Sequence, residues 1–90
     1  MDFQAQLSQA RIDFLTGRGL WLNRSFADAL DEAAAARPDA IAIVGRSSVD
    51  GSETRMAYTE LQRLSVRVAA GLAAHGVERG DVVAVQLPNW

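Results

Sequence analysis

An α/β fold is predicted, as a partial subdomain of three helices, a β-hairpin and one further strand that lacks the rest of a larger sheet. Three observations lead there. Apolar residues recur at steps of three and four in three separate stretches, the period of a helix with one buried face. Residues 40–44 and 54–58 are short strand-like stretches on either side of a polar loop. Residues 82–87 form a nearly continuous apolar run of strand length.

The first helix is expected over residues 2–15, where Phe3, Leu7, Ala10 and Phe14 share a face and Gly17 and Gly19 end the pattern. Leu20, Trp21 and Leu22 follow as an apolar knot. Ser25 with Asp28 three residues on is a variant of the capping box, so the second helix should begin at Phe26. Its apolar positions are Phe26, Leu30, Ala33 and Ala34. Asp28, Asp31 and Glu32 lie early, where the helix dipole favours anions, and Arg37-Pro38 closes the span at Ala36.

The hairpin pairs residues 40–44 with residues 54–58 across a loose, solvent-facing loop over 45–51. From Thr59 the period changes to that of a helix. Leu61, Leu64, Val68 and Leu72 mark one face, Glu60, Arg63 and Arg67 lie off it, and His75-Gly76 supplies the stop. Ala57 has no side-chain oxygen to cap this helix, so a Thr59–Gln62 capping box is the expected start. A polar turn at Glu78, Arg79, Gly80 and Asp81 leads into the last strand. The order strand, helix, strand from 54 to 87 fits one right-handed crossover unit, and a run without alternation requires cover on both faces. Such a unit alone leaves open strand edges and apolar faces, which predicts self-association.

Ninety residues make one domain at most, with a thin stability margin. Hydrophobic residues are 49% and charged residues 22%, a composition that folds and that argues against a disordered tail. The net charge is -2, and nine basic residues are dispersed from Arg11 to Arg79, so nucleic acid is not an expected partner. There is no cysteine, which removes disulfides, thiolate metal sites and cysteine nucleophiles. Neither a secretory signal pattern nor an apolar run of membrane-spanning length is present, and a cytoplasmic location without a membrane span is expected.

Each candidate for chemistry has a plainer explanation. His75 is the lone histidine, and at a helix C-terminus it is suited to the exposed carbonyls. Gly17-Arg18-Gly19 follows a helix rather than a strand and lacks the third glycine of a dinucleotide fingerprint. Asp28, Asp31 and Glu32 suit the start of a solvated helix better than a metal site. Ser47, Ser48 and Ser52 have no histidine near them in sequence to act as a base. Trp21 belongs to an apolar triplet, while Trp90 ends the sequence and could pack or stack. A carrier protein is excluded because Asp28-Ala29-Leu30 has alanine where the attachment serine would stand.

The stretches Arg55-Met56-Ala57-Tyr58-Thr59-Glu60-Leu61, Ala69-Ala70-Gly71-Leu72 and Gly76 through Asp81 to Leu87-Pro88-Asn89-Trp90 closely resemble the N-terminal region of the acyl-adenylate-forming ligases. The segment 26–44, with its Ala-rich helix and Arg37-Pro38-Asp39-Ala40, is similar to the opening of such enzymes, and Gly19-Leu20-Trp21 to the start of cyclohexanecarboxylate and hydroxybenzoate ligases. One departure is Ala57, where the family usually has a capping threonine or serine.

The resemblance implies an ATP-dependent acyl- or aryl-CoA ligase (AMP-forming), which makes an acyl-adenylate and then a thioester. ATP, Mg2+ and coenzyme A are implied for the full-length parent and none for this segment. The family's phosphate loop, ribose aspartate and mobile-domain lysine match nothing here, so no catalytic, cofactor-binding or metal residue is assigned. On this reading residues 1–24 are an N-terminal helix and loop, and residues 25–90 begin a truncated large N-terminal domain whose remainder is the expected partner. A natural short binding or assembly module built on the same scaffold is the alternative, and the acyl substrate is not encoded in these residues.

Overall fold

The computed structural model describes residues 7–88. In chain order it contains α1 (Gln9–Gly17), α2 (Phe26–Ala36), β1 (Ile41–Arg46), β2 (Glu53–Ala57) and α3 (Tyr58–Ala74). The α/β class and the three helices agree with the sequence.

α1 starts later than its apolar pattern suggests. Ser8 is its N-cap, with a side-chain oxygen that accepts the Arg11 N–H at 3.4 Å, so Leu7 lies outside the helix. Residues 2–6 of the expected span fall outside the described residues. At the other end the helix runs to Gly17, and Gly19 makes the turn with φ 68°, a conformation that costs a Cβ-bearing residue about 1–2 kcal/mol.

α2 has the expected bounds because both halves of its capping box form. The Asp28 N–H donates to Ser25 Oγ at 3.2 Å, and the Ser25 N–H donates to Asp28 Oδ2 at 2.8 Å. Ser25→Ala is expected to cost about 1 kcal/mol of α2 stability, and Ser25→Gly only a few tenths, measurable as lost helical ellipticity during denaturant titration.

β1 and β2 pair antiparallel, with Val44 opposite Arg55 and Arg46 opposite Glu53. Between Ile41↔Ala57 and Ile43↔Met56 the register shifts by one extra residue on β1, the two-against-one pairing of a β-bulge. The hairpin loop is more ordered than its serine and glycine content suggests. Ser47 N–H donates to Ser52 O at 2.8 Å, Gly51 N–H to Ser47 O at 3.0 Å, and Val49 N–H to Ser47 Oγ at 3.2 Å. Its serines close the turn rather than loosen it.

α3 begins at Tyr58, not through a Thr59–Gln62 box. Glu60 Oε2 accepts the Ala57 N–H at 2.8 Å, the half of a capping box that needs no side chain at the cap. The next orphan donors find carbonyls of the preceding connection: Tyr58 N–H reaches Ala40 O at 3.0 Å and Thr59 N–H reaches Pro38 O at 3.1 Å. Thr59 Oγ1 also donates to Pro38 O at 2.9 Å, and Gln62 Nε2 donates to Asp31 Oδ1 at 2.9 Å, so both expected capping side chains serve tertiary contacts instead. The helix stops at Ala74 as expected, with His75 as C-cap and Gly76 at φ 86°.

The further strand at 82–87, and with it the crossover unit, is absent from the described residues: 81–88 form no ladder, and the sheet has two strands. A strand is stabilised by hydrogen bonds to a neighbour, and nothing among the described residues pairs with this run. The core is correspondingly small. Ala34 is the one buried residue described, at 7% exposure. The accessible surface is 8250 Å², against about 5100 Å² for a folded chain of this mass. The radius of gyration is 17.4 Å, where about 12 Å is usual for a compact 90-residue domain.

Candidate functional site

The polar groups that could form a site converge where α2, the 37–40 connection and the first turn of α3 meet. The three carboxylates of α2 each have a structural partner. Asp28 accepts the Ser25 N–H, Asp31 accepts the Gln62 amide, and Glu32 pairs with Arg24. They surround an open hollow with Leu22 and Asn23, but no common point is shared by vacant oxygens. Among the described residues no group of three or more His, Cys, Asp or Glu side chains could hold a metal ion.

Hydrogen bonds from the Ser25 N–H and hydroxyl, aided by the nearby Arg24 charge, hold the Asp28 carboxyl below its usual range. A folded-state pKa lowered from 3.8 means that the box stabilises α2 above about pH 4 and loses that contribution as pH falls through the lower, folded value. Asp28→Asn is therefore expected to flatten the acid limb of α2 helicity, followed by ellipticity between about pH 5 and pH 2. Asp50 is lowered in the same direction by the Ser52 N–H and by the Ser52 and Ser47 hydroxyls, which ties the hairpin turn to the same acid window.

The remaining candidates are dispersed. His75 Nδ1 lies 2.8 Å from Gly71 O, inside its own helix end. Gly17 and Gly19 sit at the C-terminal, electronegative end of α1, which repels phosphate, and the Arg18 guanidinium rests over the Phe14 ring, 4.7 Å from its centroid. Trp21 is partly exposed beside Ile12, Asp13 and Thr16. Trp90 lies outside the described residues.

ATP, Mg2+ and coenzyme A therefore do not fit the residues described. A phosphate group needs convergent backbone N–H donors or convergent cationic side chains, arginine as well as lysine. The nine arginines are dispersed, Arg24 pairs with Glu32 and Arg46 and Arg55 with Glu53, and the helix N-termini are engaged by Ser8, by the Ser25–Asp28 box, and by Pro38 and Ala40 carbonyls.

What the surface offers instead is apolar. Phe26 is 98% exposed, Val85 76% and Leu22 71%, and Phe14, Leu20, Ile43, Val44, Val66, Val68, Val82 and Leu87 are exposed with them. A monomeric protein seldom presents this much apolar surface without a partner. Sequence reasoning anticipated open apolar faces at residues 82–87. It missed the Thr59–Pro38 and Gln62–Asp31 contacts, which link positions 21 and 31 residues apart and leave no periodic trace.

The model of the family described as AMP-binding enzyme matches residues 30–90. Acetyl-coenzyme A synthetase 2-like, mitochondrial, of Homo sapiens is 37% identical over 81 residues, covering 84% of this chain and 12% of that protein. Triostin synthetase I of Streptomyces triostinicus is 40% identical over 72 residues, covering 80% of this chain and 12% of that protein. Medium-chain fatty-acid–CoA ligase of Escherichia coli (strain K12) is 37% identical over 73 residues, covering 81% of this chain and 12% of that protein. No solved structure matches. The chain spans about 12% of the length of these curated relatives, and it belongs to the acyl-adenylate-forming superfamily as a member of the AMP-binding enzyme family.

Proposed function

We propose that this chain is the N-terminal scaffold segment of an ATP-dependent acyl- or aryl-CoA ligase, and that it carries no catalytic, cofactor-binding or metal residue of its own. The parent would activate a carboxylate as its acyl-adenylate, releasing pyrophosphate, and transfer the acyl group to coenzyme A, with Mg2+ offsetting the phosphate charge. Residues 1–24 serve as a helix and loop ahead of the domain. Residues 25–90 open the large N-terminal domain, and its remainder is their partner.

The observation that carries this reading is the mismatch between an ordered set of capped helices and a core that holds one buried alanine among the described residues, in a chain 12% as long as its ligase relatives. Local signals are complete while the packing that rewards them is not, as expected of a segment that folds against more polypeptide. The same open faces would bring isolated copies together.

The test pairs two measurements on the polypeptide its gene produces. Intact mass should exceed 9.7 kDa several-fold, and carboxylate-dependent ATP–pyrophosphate exchange should be present there and absent from the 90-residue chain alone. A native polypeptide of 9.7 kDa without exchange activity would replace this reading with a short assembly module on the same scaffold.

A further inference from the structure

We infer that α2, the 37–40 connection, the base of the hairpin and the first turn of α3 form a closed clasp that opens as one unit, with Thr59 and Gln62 as the positioning residues that close it. The inference concerns contacts within this chain and goes beyond the function proposed above.

α3 does not supply its own start. Ala57 offers no side-chain oxygen, and the Glu60 carboxylate serves the Ala57 N–H. The next two donors are met from another part of the chain: Tyr58 N–H by Ala40 O at 3.0 Å and Thr59 N–H by Pro38 O at 3.1 Å. Pro38 O accepts a second time, from Thr59 Oγ1 at 2.9 Å, so both lone pairs of that carbonyl are committed to one residue of α3.

The 37–40 connection is itself fixed at both ends. Arg37 N–H donates to Ala33 O at 2.8 Å in the last turn of α2, and Ala40 N–H donates to Arg37 O at 3.3 Å. Ile41, the next residue, pairs with Ala57 at the base of the hairpin. One turn into α3, Gln62 Nε2 returns to Asp31 Oδ1 on α2 at 2.9 Å. The path from Asp31 along α2, through Pro38 to Thr59 and back through Gln62, is therefore a closed ring.

A ring behaves differently from the same bonds in a row. Each link holds the partners of the others within reach, so the remaining bonds close as intramolecular events at high effective concentration. Removing one link lowers that concentration for all of them, and the ring loosens together. Much of the apolar burial lies on the elements so joined: Leu30, Ala33, Ala40, Met56 and Leu61 are half-buried and Ala34 is buried. α1 stands outside. Among the described residues it shares no hydrogen bond with the ring and packs against none of its elements.

The test is amide hydrogen exchange, read by mass spectrometry on the native polypeptide and its variants under conditions where amides reclose faster than they exchange. Thr59→Val removes the hydroxyl and leaves Pro38 O with the Thr59 N–H. Gln62→Leu breaks the ring at its other closure and leaves the exposed Asp31 carboxylate to water. Each should speed exchange by roughly 2- to 10-fold, the worth of one net hydrogen bond, and by one common factor across residues 33–37, 41–46 and 53–62. Exchange in α1 should keep the rate of the unsubstituted protein, and Thr59→Ser, which retains the hydroxyl, should keep it throughout. Gln62→Leu carries the test if Thr59→Val does not fold. Acceleration confined to residues 58–62 would overturn the inference, since the start of α3 would then fray without the elements that hold it. Equal acceleration in α1 would also overturn it, by showing a general loss of stability instead of one opening unit.

Discussion

Held alone in dilute buffer, the 90-residue chain is expected to enhance the fluorescence of a hydrophobic dye strongly and to unfold across a broad range of urea without a sharp midpoint. The reason is the balance of surface and order. Fixing each residue's backbone costs roughly 1–2 kcal/mol, and burial of apolar area at about 25 cal/mol per Å² is the main term that offsets it. With 8250 Å² of surface still accessible and Ala34 the one buried residue described, that term is far smaller than in a packed domain. The slope of stability against urea follows the surface exposed on unfolding, so it should fall below the usual range of about 1–3 kcal/mol/M. Ellipticity would decline gradually as the caps of α2 and α3 fray, and dye binding, strong from the outset, would fade over the same broad range. A steep single transition with no dye enhancement would mean that the chain packs its own core, and would remove the physical ground for the scaffold reading.

How much of this fold was legible follows from where each determinant lies. α2 could be read to its last residue because Ser25, Asp28 and Arg37-Pro38 set its limits within the helix and its flanks. α1 was misplaced because an apolar period does not record where a helix begins, and Ser8, a single hydroxyl, decides it. α3 shows a subtler failure. The absence of an oxygen at Ala57 directed attention to Thr59, yet the Glu60 carboxylate serves the Ala57 N–H, and the carbonyls of Pro38 and Ala40 satisfy the following donors. Those carbonyls come from a connection some twenty residues upstream, so the start of α3 is partly a tertiary event.

The candidate site was legible mainly as exclusions. Asp28, Asp31 and Glu32 could be identified as the start of a helix, but their partners, Gln62 above all, depend on how α2 and α3 cross. The segment 82–87 separates what a sequence can specify from what it cannot. Its composition says that both faces will be covered, a property of the residues themselves. Its ladder depends on another strand's backbone, and that neighbour is not among the described residues.

That distinction gives the second large effect. In the native polypeptide, Ala84→Asp and Val85→Asp are each expected to destabilise by more than about 3 kcal/mol, because each would place an unpaired carboxylate in an apolar layer. Adjacent residues of a strand point to opposite faces, so a strand with one wet side would tolerate one of the two substitutions and reject the other. Rejection of both is the signature of a strand covered on both faces, as the unbroken run Val82-Val83-Ala84-Val85 implies. The same substitutions in the isolated chain should change its urea response by no more than about 0.5 kcal/mol, the usual range for surface positions, since residues 81–88 are exposed there. Denaturant midpoints for the two native variants, and ellipticity followed across the urea range for the two isolated-chain variants, each compared with its unsubstituted parent, separate the possibilities. Tolerance of Ala84→Asp alone would make the strand one-sided, with the helix layer on the Val83, Val85 and Leu87 face and water on the other.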